Sequence, residues 1–458
     1  MKITIKERLS AHHFFLAVAV LIQMPLALNT GYFSHDELQW LALADTDSIS
    51  QVPWDSWTDF SVFQYRPLTY NLWLFLSHFF GYKPVLMHTI QSVFAITNAL
   101  LLRRCVMSFG ARQLHASIAA LGFLLVPFVV FTHSWIGTFA DQLYLAWLLL
   151  ALLCICRQPP SDKENRWRYL TPALVAGLTV LAVFSKESAV VFPFLLLCAI
   201  YRVPIRDLVP SLVASSIVVT IYLALRLDII LFSPRAPGVY TWAIGNIPVR
   251  LAEYSMFPFL QDLNEIVAFP WWDKHQLVIA ALGTLLLLVT MASAGVRWLC
   301  ALAIVWGVAL GPVLILSTGS NLYAYTASAF VCALFALAYP HIKPWSKGLL
   351  VVACTVVLLH SVELASHMRR VGRMQHHLYA NLMPLLPRAS EAEPLRIRAK
   401  NAADESILHH LLYAIPTYHR IPFSSRIQVI ASNDATAQPT HLMLRDGTLV
   451  PEMETQSR

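Results

Sequence analysis

Charged residues are scarce in this sequence. Only 13% of its 458 residues are Asp, Glu, Lys or Arg, whereas 57% are hydrophobic. Soluble domains carry roughly 25% charged residues, so this composition excludes a single soluble domain and requires much of the apolar surface to face lipid. Apolar runs of about 20 residues, the length that crosses a bilayer, recur along the chain. The sequence therefore predicts a polytopic α-helical membrane protein.

Several sequence motifs are also missing. No Walker loop, no G-x-G-x-x-G and no G-x-S-x-G occurs in a suitable context, which argues against chemistry driven by nucleotides. The seven cysteines have neither zinc-like spacing nor the pattern of a disulfide framework. The net charge of +7 is not gathered into a patch or stripe, so we expect no nucleic-acid partner.

The basic residues lie in short clusters between apolar runs, and this pattern predicts orientation. With the N-terminus in the cytoplasm, Lys and Arg are concentrated in every second connection, as the positive-inside rule requires. The first span is expected to be a retained helix and not a cleaved signal peptide. We predict about eleven transmembrane helices, near residues 12–30, 85–102, 114–132, 139–156, 169–184, 189–201, 209–226, 276–293, 298–316, 324–340 and 348–365.

The noncytoplasmic side is predicted to be the elaborate one. Two long outer loops, 31–84 and 227–275, contain many acidic residues together with Trp, Tyr and Pro. The polar segment 366–458 follows the last span and is predicted to be a small noncytoplasmic α/β domain, with a helix at 402–414 and strands at 426–432 and 440–444. We therefore divide the chain into a transmembrane domain, 1–365, and this C-terminal domain.

Acidic residues on the predicted outer face are the first candidates for chemistry. Asp36 and Glu37 follow the first span, and Asp141 lies at the mouth of the fourth. A positioned carboxylate can deprotonate a hydroxyl or bind a divalent metal. The alternative is that these acids only complement helix N-termini, where negative charge is favourable.

Three cations on the same face are candidates for binding phosphate. Arg66 precedes Pro67, Arg226 ends an apolar span, and Lys186 stands beside Glu187 in a very short connection. A guanidinium presents a planar fork that matches phosphate oxygens. The alternatives are that the arginines reach to lipid headgroups, and that Lys186 and Glu187 neutralise each other.

Taken together, these segments resemble the C-type (GT-C) integral membrane glycosyltransferases. The similarity is greatest to the branch of protein O-mannosyltransferases and transmembrane tetratricopeptide-repeat mannosyltransferases. It rests on the order of the acidic pair, YRPLT at 65–69, the run from His88, SWIGTFADQLYLAWLLLALL at 134–153 and the Lys186-Glu187 pair. It covers about residues 10–340.

The resemblance implies a hexosyltransferase that takes a sugar from a polyprenyl-phosphate carrier, with inversion, on the noncytoplasmic side of a bacterial inner membrane. The acceptor would be a lipid, glycan or protein hydroxyl. By position, Asp36 would be the general base, Glu37 and Asp141 would be catalytic, and Arg66, Lys186 and Arg226 would bind the carrier phosphate. Supporting positions would be Tyr65, Glu187 and Tyr323. A divalent metal, if present, would be bound by Asp36 and Asp141.

Some features depart from that branch. His-Asp-Glu stands where the branch usually has Asp-Asp, so the identity of the base remains open, and no tetratricopeptide array follows the spans. An O-antigen ligase or polymerase is an alternative, but such an enzyme is expected to place its catalytic charges in a large late outer loop. A transporter or flippase of lipid-linked sugar is expected to show mid-span charges and inverted repeats, and the sequence has almost no mid-span charge and no internal repeat.

Overall fold

The structure of the protein is a computed structural model that describes residues 5–46, 57, 59–62, 64–157, 165–232, 241–434, 439–444 and 446–451. Parts of the predicted outer loops, 47–56 and 233–240, lie outside the described residues. The helices that the argument uses are α1 (Ile5–Ala27), α2 (His35–Thr46), α3 (Pro67–Phe80), α4 (Pro84–Ser108), α5 (Gln113–Phe123), α6 (Pro127–Ser134), α7 (Phe139–Cys156), α8 (Asn165–Ser185), α9 (Phe192–Leu196), α10 (Ile205–Phe232), α11 (Ile247–Met256), α12 (Lys274–Ala294), α13 (Val296–Leu314), α14 (Tyr325–Ala338), α15 (Pro344–Leu382) and α16 (Ala402–Leu412).

The predicted polytopic helical architecture is confirmed. Within the described residues, seven helices are long and apolar enough to cross a membrane, and the bent pair α5 and α6 makes an eighth. Three shorter apolar helices, Ala11–Ala27, Tyr169–Ser185 and Glu187–Tyr201, coincide with the remaining predicted spans. Each of the eleven apolar segments predicted from the sequence is therefore helical.

One predicted span is sharply bent. The segment 114–132 is divided into α5 and α6, which meet at an angle of 58°. Pro127 is the first residue of α6. Proline lacks a backbone N–H and its ring clashes with the preceding turn, so a helix cannot continue through this position without bending.

Burial separates central from peripheral helices. In the span Ile136–Cys156, 72% of the apolar window is buried, whereas only 22% is buried in Lys274–Ala294. The outer face of α10 carries large apolar side chains at every fourth position that are about half exposed, namely Val213, Ile217, Ile221 and Leu225. Residues four apart share a helix face, so this row is oriented toward lipid.

The C-terminal region is the predicted small α/β unit. Its four-stranded sheet has the order β6 (Ile427–Ile430), β3 (Leu395–Ala399), β7 (His441–Met443) and β8 (Leu449–Pro451). Strand β3 runs parallel to β6 and β7, and β7 is antiparallel to β8. Helix α16 lies between β3 and β6 in the chain, because parallel neighbours require a crossover connection.

The remaining strands of the described residues form two short pairs. Strand β1 (Ile266–Val267) pairs with β2 (Gly319–Ser320), and β4 (Thr417–Tyr418) pairs with β5 (Ile421–Pro422). The β1–β2 pair connects the late outer loop to the segment before α14. This connection matters for the site described below.

The C-terminal unit is packed against α2, α3 and α7. One hydrophobic cluster contains Leu38 of α2, Trp73 of α3 and Phe139 of α7 together with Leu408 and Leu412 of α16. Helix α15 is continuous from Pro344 to Leu382, so it extends past the predicted boundary at residue 365 into the C-terminal unit. The division into domains at that residue stays a prediction.

A close approach of two helices positions the start of α2. A Cβ on Gly31 would lie 1.9 Å from the carbonyl oxygen of Gly372 in α15, and a Cβ on Gly372 would lie 2.2 Å from Asn29 Oδ1. Only glycine fits at both positions. The N–H of Tyr32 also donates to Gln375 Oε1 over 3.1 Å. The turn from α1 to α2 is therefore fixed on the C-terminal half of α15.

Candidate functional site

The side chain of Glu37 fixes the start of α2. Its Oε2 accepts hydrogen bonds from the N–H groups of Phe33 and Ser34, each over 3.0 Å, and its Oε1 accepts one from Ile136 N–H over 2.7 Å. Ser34 and Glu37 have the Ser-x-x-Glu spacing of a capping box. Burial raises the pKa of Glu37 to about 8, and the three N–H groups oppose this rise. These contacts give Glu37 a supporting position.

Asp36 faces a different direction from Glu37 and is accessible. Its side chain is 41% exposed, and its Oδ1 lies 3.2 Å from Nε2 of His35. Burial by the surrounding protein raises the pKa of Asp36, while the neighbouring His35 opposes the rise. A carboxylate with a raised pKa is a stronger base. The role of Asp36 as general base stays a prediction that these properties fit.

Glu265 is a second acid near Asp36, and the sequence analysis did not select it. Burial raises the pKa of Glu265 to about 7, with a further contribution from the charge of Asp36. Ser320 Oγ donates to Oε1 of Glu265 over 3.3 Å, and the backbone carbonyl of Glu265 accepts from Asn321 N–H over 3.0 Å. In the sequence, Glu265 is distinguished only as an acidic residue in the Trp- and Pro-rich loop 227–275. We call Asp36, Glu37 and Glu265 the acidic group.

The predicted cations Arg66 and Lys186 lie together in a second cluster. Arg66 Nε donates to Glu187 Oε2 over 2.7 Å, and Lys186 Nζ forms a buried ion pair with Asp141. The ammonium of Lys186 also lies 5.2 Å from the ring centre of Tyr323. We call these five residues the ion-pair cluster. The idea that Lys186 and Glu187 neutralise each other is wrong, since each pairs with a partner from another segment.

Helix ends bring this cluster together. Arg66 precedes Pro67, the first residue of α3, and Asp141 lies in the first turn of α7. Thr69 Oγ1 donates to the carbonyl of Ser185 over 2.9 Å, which ties α3 to the end of α8. Lys186 follows directly. The charges therefore lie where helices begin and end, and none of them is in the middle of a span.

Arg226 and Tyr65 hold the loop in front of Arg66. The terminal nitrogens of the buried Arg226 donate to the carbonyl oxygens of Phe60 and Val62, and its guanidinium lies 5.3 Å from the ring centre of Tyr65. The hydroxyl of Tyr65 donates to the carbonyl of Trp57 over 2.7 Å. These contacts anchor the loop. Phosphate binding by Arg226 stays a prediction.

The segment after α13 contacts both groups. Ser320 of β2 donates a hydrogen bond to Glu265 of the acidic group. Tyr323 lies in the 3-10 turn Asn321–Ala324, and its ring contacts the ammonium of Lys186 in the ion-pair cluster. Three residues span at most ~11 Å of backbone. This short segment therefore connects the acidic group to the ion-pair cluster.

The predicted metal ligands do not assemble a metal centre. In the ranges that the structure describes, no group of three His, Cys, Asp or Glu side chains is arranged to hold a metal ion. The carboxylate of Asp141 is bonded to Lys186. A divalent metal at Asp36 and Asp141 stays a prediction that the described residues do not favour.

Comparison with known proteins gives matches at the level of structure. No protein-family model matches the sequence, and no curated protein matches it either. The crystal structure of ArnT from Cupriavidus metallidurans bound to undecaprenyl phosphate is 13% identical, with a TM-score of 0.50 over 92% of this chain and 86% of ArnT.

Two structures of the Archaeoglobus fulgidus oligosaccharyltransferase are also similar. One is tethered through a disulfide bond to an acceptor peptide containing the NVT sequon; it is 14% identical, with a TM-score of 0.48 over 90% of this chain. The other, in complex with Zn and sulfate, is 14% identical with a TM-score of 0.47 over 90% of this chain. This chain spans 60% and 58% of the length of these two oligosaccharyltransferase chains.

The similarity to ArnT extends over nearly the whole of both chains, and at 13% identity it concerns the fold. It agrees with the helical spans described above and does not single out the O-mannosyltransferase branch. The chain has the fold of the C-type integral membrane glycosyltransferases.

Proposed function

We propose that the protein is an integral membrane hexosyltransferase that moves a sugar from a polyprenyl-phosphate carrier to a hydroxyl of a lipid, glycan or protein. The reaction takes place on the noncytoplasmic face of the bacterial inner membrane, where the C-terminal unit also lies. Two facts support this proposal: the fold is shared with a protein whose crystal structure contains undecaprenyl phosphate, and the ion-pair cluster lies at helix ends of the predicted outer face.

The observation that carries the proposal is the arrangement of Arg66. Its Nε is bonded to Glu187, its side chain is 26% exposed, and no described residue hydrogen-bonds its two terminal nitrogens. A guanidinium held by one edge presents the other edge to a planar arrangement of oxygens, which is the geometry of phosphate recognition. Lys186 lies close enough for the two charges to repel each other, and a bound phosphate would relieve that repulsion.

The chemistry then follows from the two groups. Asp36 accepts the proton of the acceptor hydroxyl as its oxygen attacks the anomeric carbon of the sugar. The bond from that carbon to the phosphate oxygen breaks, and the polyprenyl phosphate leaves with the electron pair. Attack from the side opposite the phosphate inverts the anomeric carbon. Arg66 and Lys186 stabilise the negative charge that develops on the leaving oxygen.

An alcohol is a poor nucleophile at neutral pH, which is why a base is required. A positioned general base typically contributes ~10²–10⁴-fold to the rate. The two nearby carboxylates do not ionise independently, because the charge of Asp36 raises the pKa of Glu265. Glu37 holds the backbone from which Asp36 projects.

The test is transfer by the purified protein in lipid nanodiscs from a panel of radiolabelled polyprenyl-phosphate sugars. We expect Asp36→Asn to reduce transfer at least ~100-fold, and the exposed control Glu391→Gln to behave as wild type. If the wild-type protein transfers no sugar from any carrier to lipid, glycan or peptide acceptors, the proposed function is overturned. Full activity of Asp36→Asn would remove Asp36 from the mechanism.

A further inference from the structure

One contact of the C-terminal unit beside the acidic group is made by a histidine. His410 lies on the last turn of α16, and its ring centre is 4.9 Å from that of His35, with an interplanar angle of 86°. The ring of Phe33 contacts His410 from another side, with a centroid distance of 5.6 Å. Edge-to-face pairs at such distances stabilise a defined ring orientation.

His35 is the residue that contacts Asp36. Its Nε2 lies 3.2 Å from Asp36 Oδ1, and within the described ranges no other side chain forms an ion pair with that carboxylate. The orientation of a partly exposed carboxylate therefore depends on how firmly the His35 ring is held.

Hydrogen bonding does not hold the His35 ring at its other nitrogen. His35 Nδ1 is buried and has no hydrogen-bond partner among the described residues. An imidazole that orients a carboxylate is usually fixed by a bond at its second nitrogen. Here packing fulfils that role, since the rings of His410 and Tyr413 lie against His35 at 4.9 and 5.1 Å.

We propose that His410 is a positioning residue of the transfer reaction, which holds the His35 ring against Asp36 and so makes the C-terminal unit part of the active site. This inference rests on the proposed function. The side-chain amide of Gln39 donates to the carbonyl of Tyr413 over 3.1 Å, which ties the end of α16 to α2.

The neighbouring His409 provides a matched control. Its side chain is 58% exposed and reaches only Glu405, at 3.9 Å on the same helix. His409→Ala and His410→Ala remove the same atoms from adjacent positions of α16. A third variant, His410→Phe, retains an aromatic ring of similar width at the contact with His35.

The experiment measures kcat and both KM values with the sugar donor and acceptor that support transfer by wild-type protein. We expect His410→Ala to lower kcat about tenfold, because small misplacements of a reacting group are costly. The KM for the donor stays within about twofold of wild type, because the ion-pair cluster is not changed. We expect His410→Phe to restore most of the lost kcat, and His409→Ala to match wild type.

The double variant His35→Ala, His410→Ala is expected to be no slower than His35→Ala alone, because both changes remove one interaction. The inference is overturned if His410→Ala matches His409→Ala, if the donor KM rises as much as kcat falls, or if the two losses multiply. Absence of transfer by wild-type protein would instead overturn the proposed function, and this inference with it.

Discussion

Arg66 Nε donates to Glu187 Oε2 over 2.7 Å and so joins the loop before α3 to the turn after α8. The two residues are 121 positions apart in the chain. Glu187 occupies one edge of the guanidinium and orients the other. The pair thus prepares Arg66 for an anionic ligand, although most partly exposed ion pairs add little to stability.

Replacement of Arg66 by Lys keeps the positive charge and removes the planar guanidinium that matches phosphate oxygens. We expect Arg66→Lys to raise the KM for the polyprenyl-phosphate donor about tenfold, equivalent to ~1.4 kcal/mol, with a smaller effect on kcat. Initial-rate kinetics over a range of donor concentrations measure the effect. An unchanged donor KM would contradict a phosphate-binding role for Arg66.

Arg226 is the control for that prediction. Because its terminal nitrogens are bonded to the carbonyls of Phe60 and Val62, Arg226→Lys is expected to lower the thermal unfolding midpoint and to leave the donor KM close to that of wild type. A rise of the donor KM equal to that of Arg66→Lys would restore Arg226 as a phosphate ligand, as the sequence analysis predicted.

Glu265 is expected to hold its proton while Asp36 ionises. Burial and the charge of Asp36 raise the pKa of Glu265 to about 7, which means that Asp36 is already charged when Glu265 ionises. A neutral Glu265 adds no repulsion to Asp36. In Glu265→Gln the acid limb of kcat/KM, which reports the ionisation of Asp36, should therefore stay within about half a unit of wild type.

Two other results would revise this assignment. Loss of all activity in Glu265→Gln at every pH would identify Glu265 itself as the base. A shift of the acid limb to lower pH by about one unit would show that Glu265 is charged before Asp36 ionises. Ser320→Ala, which removes only the hydroxyl beside Glu265, serves as the milder comparison.

Glu37→Gln tests the structural role of Glu37. A glutamine side chain has one oxygen, so its NH2 group must face either Ile136 N–H or the N–H groups of Phe33 and Ser34. We expect this variant to lose ~1–3 kcal/mol of stability, because a buried donor is left unsatisfied. Thermal unfolding in detergent measures the loss. A stable but inactive variant would indicate a direct role in catalysis.

The ion pair between Asp141 and Lys186 is buried, with side chains 6% and 4% exposed. Asp141→Asn leaves an uncompensated ammonium, and we expect it to destabilise the protein by ~3–5 kcal/mol. Adding Lys186→Met should recover much of that stability, though not the activity. Restoration of Asp141→Asn activity by a high concentration of divalent metal would instead support a metal at this position.

Much of the fold is predictable because the membrane constrains it. Backbone groups in lipid must be bonded within a helix, so each long apolar run predicts a span, and the eleven predicted segments are helical. The α/β character of the C-terminal region was also predicted, through its helix and the strands β6 and β7, whereas the strands β3 and β8 of the same sheet were not predicted. The bend at Pro127 could also have been predicted, because proline interrupts a helix. The sequence analysis instead treated 114–132 as one span.

The candidate site was predictable only in part. Asp36, Arg66 and Lys186 were selectable because charge next to apolar spans is costly unless it has a purpose. The capping-box spacing of Ser34 and Glu37 could have indicated the structural role of Glu37. Nothing in the sequence indicated that Glu265 lies near Asp36 or that His410 contacts His35.

The sequence alone determined which apolar segments are helical and that charged residues lie at the ends of these helices, since both follow from the local cost of placing polar groups in hydrocarbon. Only the tertiary structure decided which charges meet. Lys186 and Glu187 are neighbours in the chain, yet one pairs with Asp141 and the other with Arg66, because the packing of α3, α7 and α8 fixes what each side chain faces. Such contacts join distant segments, and no local pattern of residues encodes them.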